Sequence, residues 1–253
     1  RAPAPALAPP RAPPGARPRV RALDCEMVGT GPGGKASVLA RISVVGRRGT
    51  VLFDALVKPE VEVTDWRTPI TGIDAAAFED LQPDGGIGWR RGGGGCGGEG
   101  SAAPSSAVLP AMVLPLNEAM RQANALLDGA VVVGHDLRHD FKLLRRFHQK
   151  RVLLRDTAFC SLLKAGLDAP RPGLPSLRGL AGAWLGDASL HRGRAHDSVE
   201  DARAAMLLYR LIAPQWEEFS KRKFGEVPAE FIERRPRGRP GAGRGRKRRR
   251  SAT

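Results

Sequence analysis

Cysteine is scarce in this sequence, with three in 253 residues, and Cys25, Cys96 and Cys160 include no Cys-x-x-Cys pair. An odd, scattered set excludes a disulfide scaffold and a zinc ribbon and fits a reducing compartment. Long apolar runs are absent too. No stretch approaches the ~18 residues that read as a membrane span, so neither a transmembrane helix nor a membrane partner is expected. Acids are missing from both ends: residues 1–19 carry four Arg, residues 234–253 carry nine Arg and one Lys, and neither segment has an Asp or Glu. The other 27 Lys and Arg share residues 20–233 with all 26 acids, so the net charge of +15 belongs to tails around a nearly neutral body. That split excludes a uniformly basic, histone-like protein. It points to a balanced domain with extensions for nucleic-acid attraction or targeting. The chain opens on Arg1 rather than Met, which fits a fragment.

Composition divides the chain further. Residues 1–19 are Pro, Ala and Arg with almost nothing to bury, and are expected to be a disordered arm. From Val20 three β-rich runs follow, VRALDCEMV, VLARISVV and TVLFDALV, the last two separated by Gly46-Arg47-Arg48-Gly49, a hairpin signal. A short helix is expected over DAAAFEDL. Residues 83–115 then lose all periodicity to Gly, Ala, Ser and Pro, and are expected to be a disordered insertion: either a flexible surface loop or sequence such as a translated intron. Asn117 can cap a helix with Ala119, Met120, Ala123, Leu126 and Leu127 on one face, closed by Gly129. A buried strand AVVVG, a helix from His139 to Phe147, a strand at VLL and helices near 161–165, 176–185 and 198–215 complete residues 20–216, the expected domain. Residues 217–253 are expected to form an extension ending in a basic tail. Strands first, then alternating helices and strands, predict an α/β fold with a mixed sheet.

Three places carry chemistry. Asp24 and Glu26 lie two apart in an apolar strand, so both carboxylates point to one face, where two hard oxygen ligands can share a divalent cation. An edge strand with a solvated acidic face is the bland alternative, and the neighbours Leu23, Met27 and Val28 argue against it. In GHDLRHDF (134–141) a buried strand passes into a helix, and Asp140 can face back toward the strand ends, the usual place for sites in α/β sheets. Asp136 is assigned to helix capping. In HDSVED (196–201), Ser198 and Asp201 match a capping box, while His196 and Asp201 can approach one metal centre together, with the histidine able to deprotonate a water.

These motifs, in the phrases LDCEMVGTGP, TDWRT..TGI, VVVGHDLRHDF, RDT and SVEDARAAMLLYRL, resemble the DEDDh 3′-to-5′ exonucleases of the RNase H-like fold. The resemblance is to the branch of the interferon-stimulated exonuclease, the apoptosis-enhancing nuclease and RNA exonuclease 4, and runs along nearly all of 20–216 apart from the insertion. It implies a mixed five-stranded sheet flanked by helices. It also implies that Asp24, Glu26, Asp140 and Asp201 hold two Mg or Mn ions, that His196 is the general base, and that nucleoside 5′-monophosphates leave the 3′ end of single-stranded RNA or DNA. Met27 would pack on the terminal nucleotide and Arg67 would contact its sugar or phosphate, with His139 a weaker candidate for the same pocket.

The sequence departs from that pattern at Asp197, where the family commonly has Ser and where an acid would raise the His196 pKa or repel the scissile phosphate. Trp66 replaces a usual Tyr, and Pro69 stands where a basic residue is common. A catalytically impaired nucleic-acid-binding module relying on the basic tails and a structure-selective endonuclease are the other readings. The C-terminal RGRPGAGRGRKRRR resembles a nuclear or nucleolar signal, so the nucleus is expected, with the cytoplasm as the alternative. A monomer is expected. No residue separates RNA from DNA.

Overall fold

The computed structural model describes residues 18–78, 88–89, 110, 112–146, 150–167, 173–187, 190 and 195–232. Three long strands, β1 (Val20–Thr30), β2 (Ala36–Gly46) and β3 (Val51–Lys58), form the expected antiparallel meander, and the β2–β3 hairpin turns at the predicted Gly46–Gly49. A short strand β4 (Val63–Asp65) pairs with the end of β1. A one-turn helix α1 (Thr68–Thr71) follows, then a 3-10 turn at Ala75–Phe78 in place of the expected helix. Trp66 packs its ring against Phe78, with centroids 5.6 Å apart.

Two short strands come next, β5 (Gly88–Trp89) and β6 (Met112–Pro115). The latter corrects the reading of 83–115 as wholly disordered, because Met112–Pro115 run parallel to β3 with Val113 and Leu114 buried. Their apolar run was hidden by the Gly, Ser and Pro around it. Apart from Gly88, Trp89 and Pro110, the remainder of that stretch, like 1–17 and 233–253, lies outside the described residues. From Pro115 the chain enters α2 (Leu116–Leu127) directly, so Asn117 sits inside the first turn and does not cap it. The face of α2 is the expected one: Ala119, Met120, Ala123 and Leu127 are buried.

Strand β7 (Val131–Gly134) lies parallel to β1, and α3 (Arg138–Leu143) leaves from its end. The segment expected as a strand at VLL starts as a 3-10 turn, and β8 (Leu154–Asp156) follows it parallel to β7. After α4 (Ser161–Ala165) and α5 (Leu177–Leu185), the long helix α6 (Ser198–Phe224) crosses the sheet. It bends at Ile212, two residues before Pro214, whose ring removes a rung of the helical ladder.

Strand order is β5-β6-β3-β2-β1-β7-β8, with β4 beside β1. The run β3-β2-β1-β7-β8 is the expected five-stranded mixed sheet, and β4, β5 and β6 extend it. Alternation decides which side each residue serves. Val20, Ala22, Val131 and Val133 pack under α5 and α6, against Leu180, Ala202, Ala205 and Tyr209. Leu23, Cys25, Ile42, Val44 and Val132 pack on the opposite face, against α2 and the residues flanking α3.

The folded body also overruns both expected boundaries. Pro18 bridges Ile232, and Arg19 donates to the Asp128 carbonyl oxygen at 2.8 Å. Helix α6 passes residue 216 because Glu217 is needed inside: its carboxylate receives Arg155 at 2.9 and 2.6 Å, and Arg155 is 1% exposed. An unpaired buried guanidinium would be costly.

Candidate active site

Strand alternation sends Asp24 and Glu26 to the face covered by α6, and a bulge between Glu26 and Met27 bends the strand immediately beyond them. Helix α6 brings Asp201 onto the same face. Carboxylate oxygens of Asp24, Glu26 and Asp201 lie within 4.8 Å of one another. Glu26 is 5% and Asp201 4% exposed, while Asp24 is half-buried. Desolvation and the neighbouring acids push Asp24 well above the usual carboxylate range, and Glu26 is pushed up to about 9, with Arg41 pulling both down. Three acids thus share a dry corner with too little positive charge.

Asp140 stands apart from this group. Helix α3 lies on the other face of the sheet, the face that Cys25 serves, and Asp140 accepts a hydrogen bond from the Cys25 thiol. Burial raises Asp140 to about 7 against that bond, and its charge in turn raises Asp24. The structure therefore brings three of the four expected acids together and leaves the fourth adjacent, on a thiol.

His196 is held at the rim. Its backbone N–H donates to the Ile70 carbonyl oxygen at 2.6 Å, and its Nδ1 lies 3.6 Å from Asp201 Oδ2, with 42% of the side chain exposed. Water can reach it. Met27 is half-buried, and its carbonyl oxygen receives Arg67 Nη1 at 3.4 Å. Arg67 also donates to Ser37 Oγ at 3.0 Å and to the Gly34 carbonyl oxygen at 2.9 Å, so it fastens the β1–β2 connection. His139 is exposed, next to buried Asp140.

Two capping assignments change. Asp136 does not cap α3: it sits at φ 53° and pairs with Arg138. The start of α3 is held from another strand by Asp156, whose carboxylate accepts from the N–H groups of Asp136 (2.9 Å), Leu137 (3.0 Å) and Ala158 (3.0 Å). In α6 the cap is Asp197, accepting from Val199 and Glu200 N–H at 2.9 and 3.2 Å, whereas Ser198 Oγ meets Ser43 Oγ at 2.6 Å. Gly134 has a spatial reason of its own. A β-carbon there would come within 2.9 Å of the Leu23 carbonyl oxygen, so the approach of β7 to β1 beside the acids requires glycine.

Arg41 was not singled out from the sequence. It lies across from Glu26 in the β1–β2 register, grips Asp54 with two bonds of 2.9 Å and is 1% exposed. A lone cation inside the apolar run VLARISVV carried the same signal as Asp24: a charge that a buried strand keeps only with a partner.

Comparisons with known proteins place this geometry. The chain matches the Exonuclease family (RNase_T) over residues 22–83, which include Asp24 and Glu26 but not Asp140, His196 or Asp201. It is 37% identical over 197 residues to RNA exonuclease 4 of Mycosarcoma maydis (78% of this chain, 43% of that protein). It is 35% identical over 198 residues to human interferon-stimulated 20 kDa exonuclease-like 2 (78% and 46%) and 33% identical over 209 residues to human apoptosis-enhancing nuclease (83% and 54%). The chain thus spans about half or less of the length of these relatives. Among solved structures it is similar to the Neurospora crassa Pan2 catalytic unit, with TM-score 0.55, 21% identity, and 85% of this chain and 29% of that one covered. It is also similar to the Saccharomyces cerevisiae Pan2 pseudoubiquitin hydrolase-RNA exonuclease module in complex with AAGGAA RNA, with TM-score 0.54, 26% identity, and 81% and 30% covered. Residues 22–83 thus carry the Exonuclease (RNase_T) match, and most of the chain is similar to RNA exonuclease 4, interferon-stimulated 20 kDa exonuclease-like 2 and the apoptosis-enhancing nuclease.

Proposed function

We propose that the chain is a metal-dependent 3′-to-5′ exonuclease of the DEDDh type that releases nucleoside 5′-monophosphates from single-stranded RNA or DNA. The observation that carries this reading is the meeting of Asp24, Glu26 and Asp201 within 4.8 Å on one face of the sheet. The corner fits a hard divalent cation: Glu26 Oε1 is buried with no hydrogen-bond partner, and burial, together with the nearby charge of Asp201, holds Asp24 and Glu26 above their usual range. Asp24, Glu26 and Asp201 would hold Mg or Mn, and Asp140 would join them by leaving the Cys25 thiol. Bound divalent ions supply Lewis acidity that eases deprotonation of water and offsets charge on the departing 3′ oxygen.

The chain's own residues do the rest. His196, exposed at the rim and 3.6 Å from Asp201, takes the proton from the attacking water, and Asp201 orients the ring and stabilises the imidazolium that forms. Met27, beside the bulge, packs on the terminal nucleotide. Arg67 steadies the loop next to it and contacts the sugar or phosphate through what its carbonyl partners leave free. His139, in solvent, is the weakest contact of the set. The basic tail at 234–253 directs the protein to the nucleus and adds loose RNA capture.

The test is degradation of 3′-labelled and 5′-labelled single strands of RNA and DNA in Mg or Mn, with Asp24→Asn as control. Mononucleotides from the 3′ end, lost in the variant, are expected. Internal fragments would instead indicate an endonuclease, and binding without cleavage would indicate an impaired module.

A further inference from the structure

At the same end of the sheet as the acids, a large apolar ring stands in solvent. Phe159 is 48% exposed, although Thr157, Ala158 and Cys160 around it are buried. Two cations attend the ring: Arg138 Cζ lies over it at 5.0 Å from the centroid, and Lys164 Nζ at 5.9 Å. The three residues come from the turn after β8, the first position of α3, and α4. One buried carboxylate joins the first two, because Asp156 accepts from Ala158 N–H under the ring and from Asp136 and Leu137 N–H at the start of α3. Arg138 is further steadied by Asp136, at 2.6 and 3.0 Å. Ring and guanidinium are therefore placed before any ligand arrives.

Their position relative to the acids follows from register. Ala22 pairs with Val133 and Gly134 with Asp156, so two residues beyond the first pair His135 comes level with Asp24, and one residue beyond the second Thr157 comes level with His135. A 2.9 Å bond between His135 Nδ1 and Thr157 Oγ1 agrees. Two strand spacings, about 10 Å, separate Asp24 from Thr157. A strand whose 3′ end lies at the acids can reach Phe159 with its next nucleotides.

An exposed aromatic ring flanked by Arg and Lys offers the two surfaces that single-stranded nucleic acid needs: a π face for a base and cations for phosphates. Among the described residues Lys164 has no carboxylate partner, so its charge is available. A single ring between cations gives a protein partner too little apolar area. We propose that Phe159, Arg138 and Lys164 form a stacking platform for single-stranded nucleic acid, receiving a base a nucleotide or two 5′ of the terminal residue. This rests on the exonuclease reading and extends it to the strand's path.

Binding of short fluorescent RNA and DNA strands to the full chain tests it, in an Asp24→Asn background that prevents cleavage. Phe159→Ala should weaken binding by roughly 5-fold to 150-fold, the range that alanine substitution gives for one stacked base, and Phe159→Trp should retain it. Lys164→Ala should lower the slope of log K against log salt by about 0.7, as for one phosphate contact on a single strand. An abasic residue at one interior position should weaken binding to the parent and leave Phe159→Ala unaffected. Equal binding by Phe159→Ala, an abasic profile that the substitution does not change, or no binding by the parent overturns the platform. Hydrolysis by the unaltered chain is measured separately: platform-dependent binding without hydrolysis overturns the exonuclease reading and leaves the platform standing.

Discussion

Arg41 Nη1 stands 3.5 Å from Asp197 Oδ2, with the other side of the same guanidinium clamped to Asp54 at 2.9 Å. This buried pair anchors the N-terminus of α6 to β2 and β3, and with it the two residues on either side of the cap, His196 and Asp201. The acid at 197, expected from the sequence to disturb His196 or repel phosphate, is instead spent on two helix N–H groups and a guanidinium.

Removing either partner of this pair should loosen the helix start more than it alters the chemistry. Asp197→Ala loses the cap, worth about 0.5–2 kcal/mol. Arg41→Met strands Asp54 and Asp197 without their cation, a loss on the order of 3–5 kcal/mol for a broken buried pair. Urea denaturation gives both values. Asp197→Asn keeps a capping oxygen and should leave the pH-rate profile in place. A profile displaced by a full pH unit would return Asp197 to the role of a base modifier.

The raised acids imply a pH-dependent stability of the metal-free protein. Glu26 titrates near 9 and Asp140 near 7 when folded, against ordinary values near 4.3 and 3.9 when unfolded. A carboxyl with a raised folded pKa binds its proton more tightly in the fold, so its contribution is complete below the unfolded pKa and fades as pH rises through the folded one. In chelator, Tm should fall steadily from about pH 5 to about pH 9, and Mg or Mn should flatten the decline. Glu26→Gln should raise the chelated Tm at pH 8 by a few degrees and abolish the rescue by metal. A chelated Tm that rises over this window excludes the account.

The capping assignments give a sharper contrast, between neighbours in space. Asp156→Ala leaves N–H groups of Asp136, Leu137 and Ala158 without their acceptor, and should cost about 2–3 kcal/mol even if water reaches one of them. Asp136→Gly, which suits the φ of 53° at this position, removes only an ion pair to an exposed arginine and should cost well under about 1 kcal/mol. Equal costs would mean that Asp136, as the sequence suggested, caps α3.

These outcomes turn on where sequence was sufficient. Alternation put Asp24 and Glu26 on one side of β1 before any fold was known, and the apolar face of α2 was equally plain, since both follow from period alone. What period cannot give is contact between distant segments. Asp156 caps α3 from a neighbouring strand, twenty residues from Asp136. Arg41 meets Asp197 only because α6 lands on the meander. The motif of Asp140 marks it as a fourth ligand, but period does not show that α3 packs on the opposite face and rests this carboxylate on Cys25. Met112–Pro115 were lost in a compositional average that a four-residue strand cannot outweigh.

His196 and Asp201 separate the proton from the metal in the last test. His196 lies outside the three-acid group, with its Nδ1 3.6 Å from Asp201 Oδ2. His196→Ala should therefore lower kcat on the order of 10²- to 10⁴-fold, the contribution of a general base, while the rise in Tm on adding Mg or Mn stays as in the parent. Asp201→Asn should lose both, because its carboxylate is part of the group that holds the ion. Small amines such as imidazole should restore part of the His196→Ala rate and none of the Asp201→Asn rate, since the first variant lacks a proton acceptor and the second lacks a ligand. If His196→Ala loses the thermal response to metal as well, the histidine serves the ion directly and the assignment of the proton to it fails.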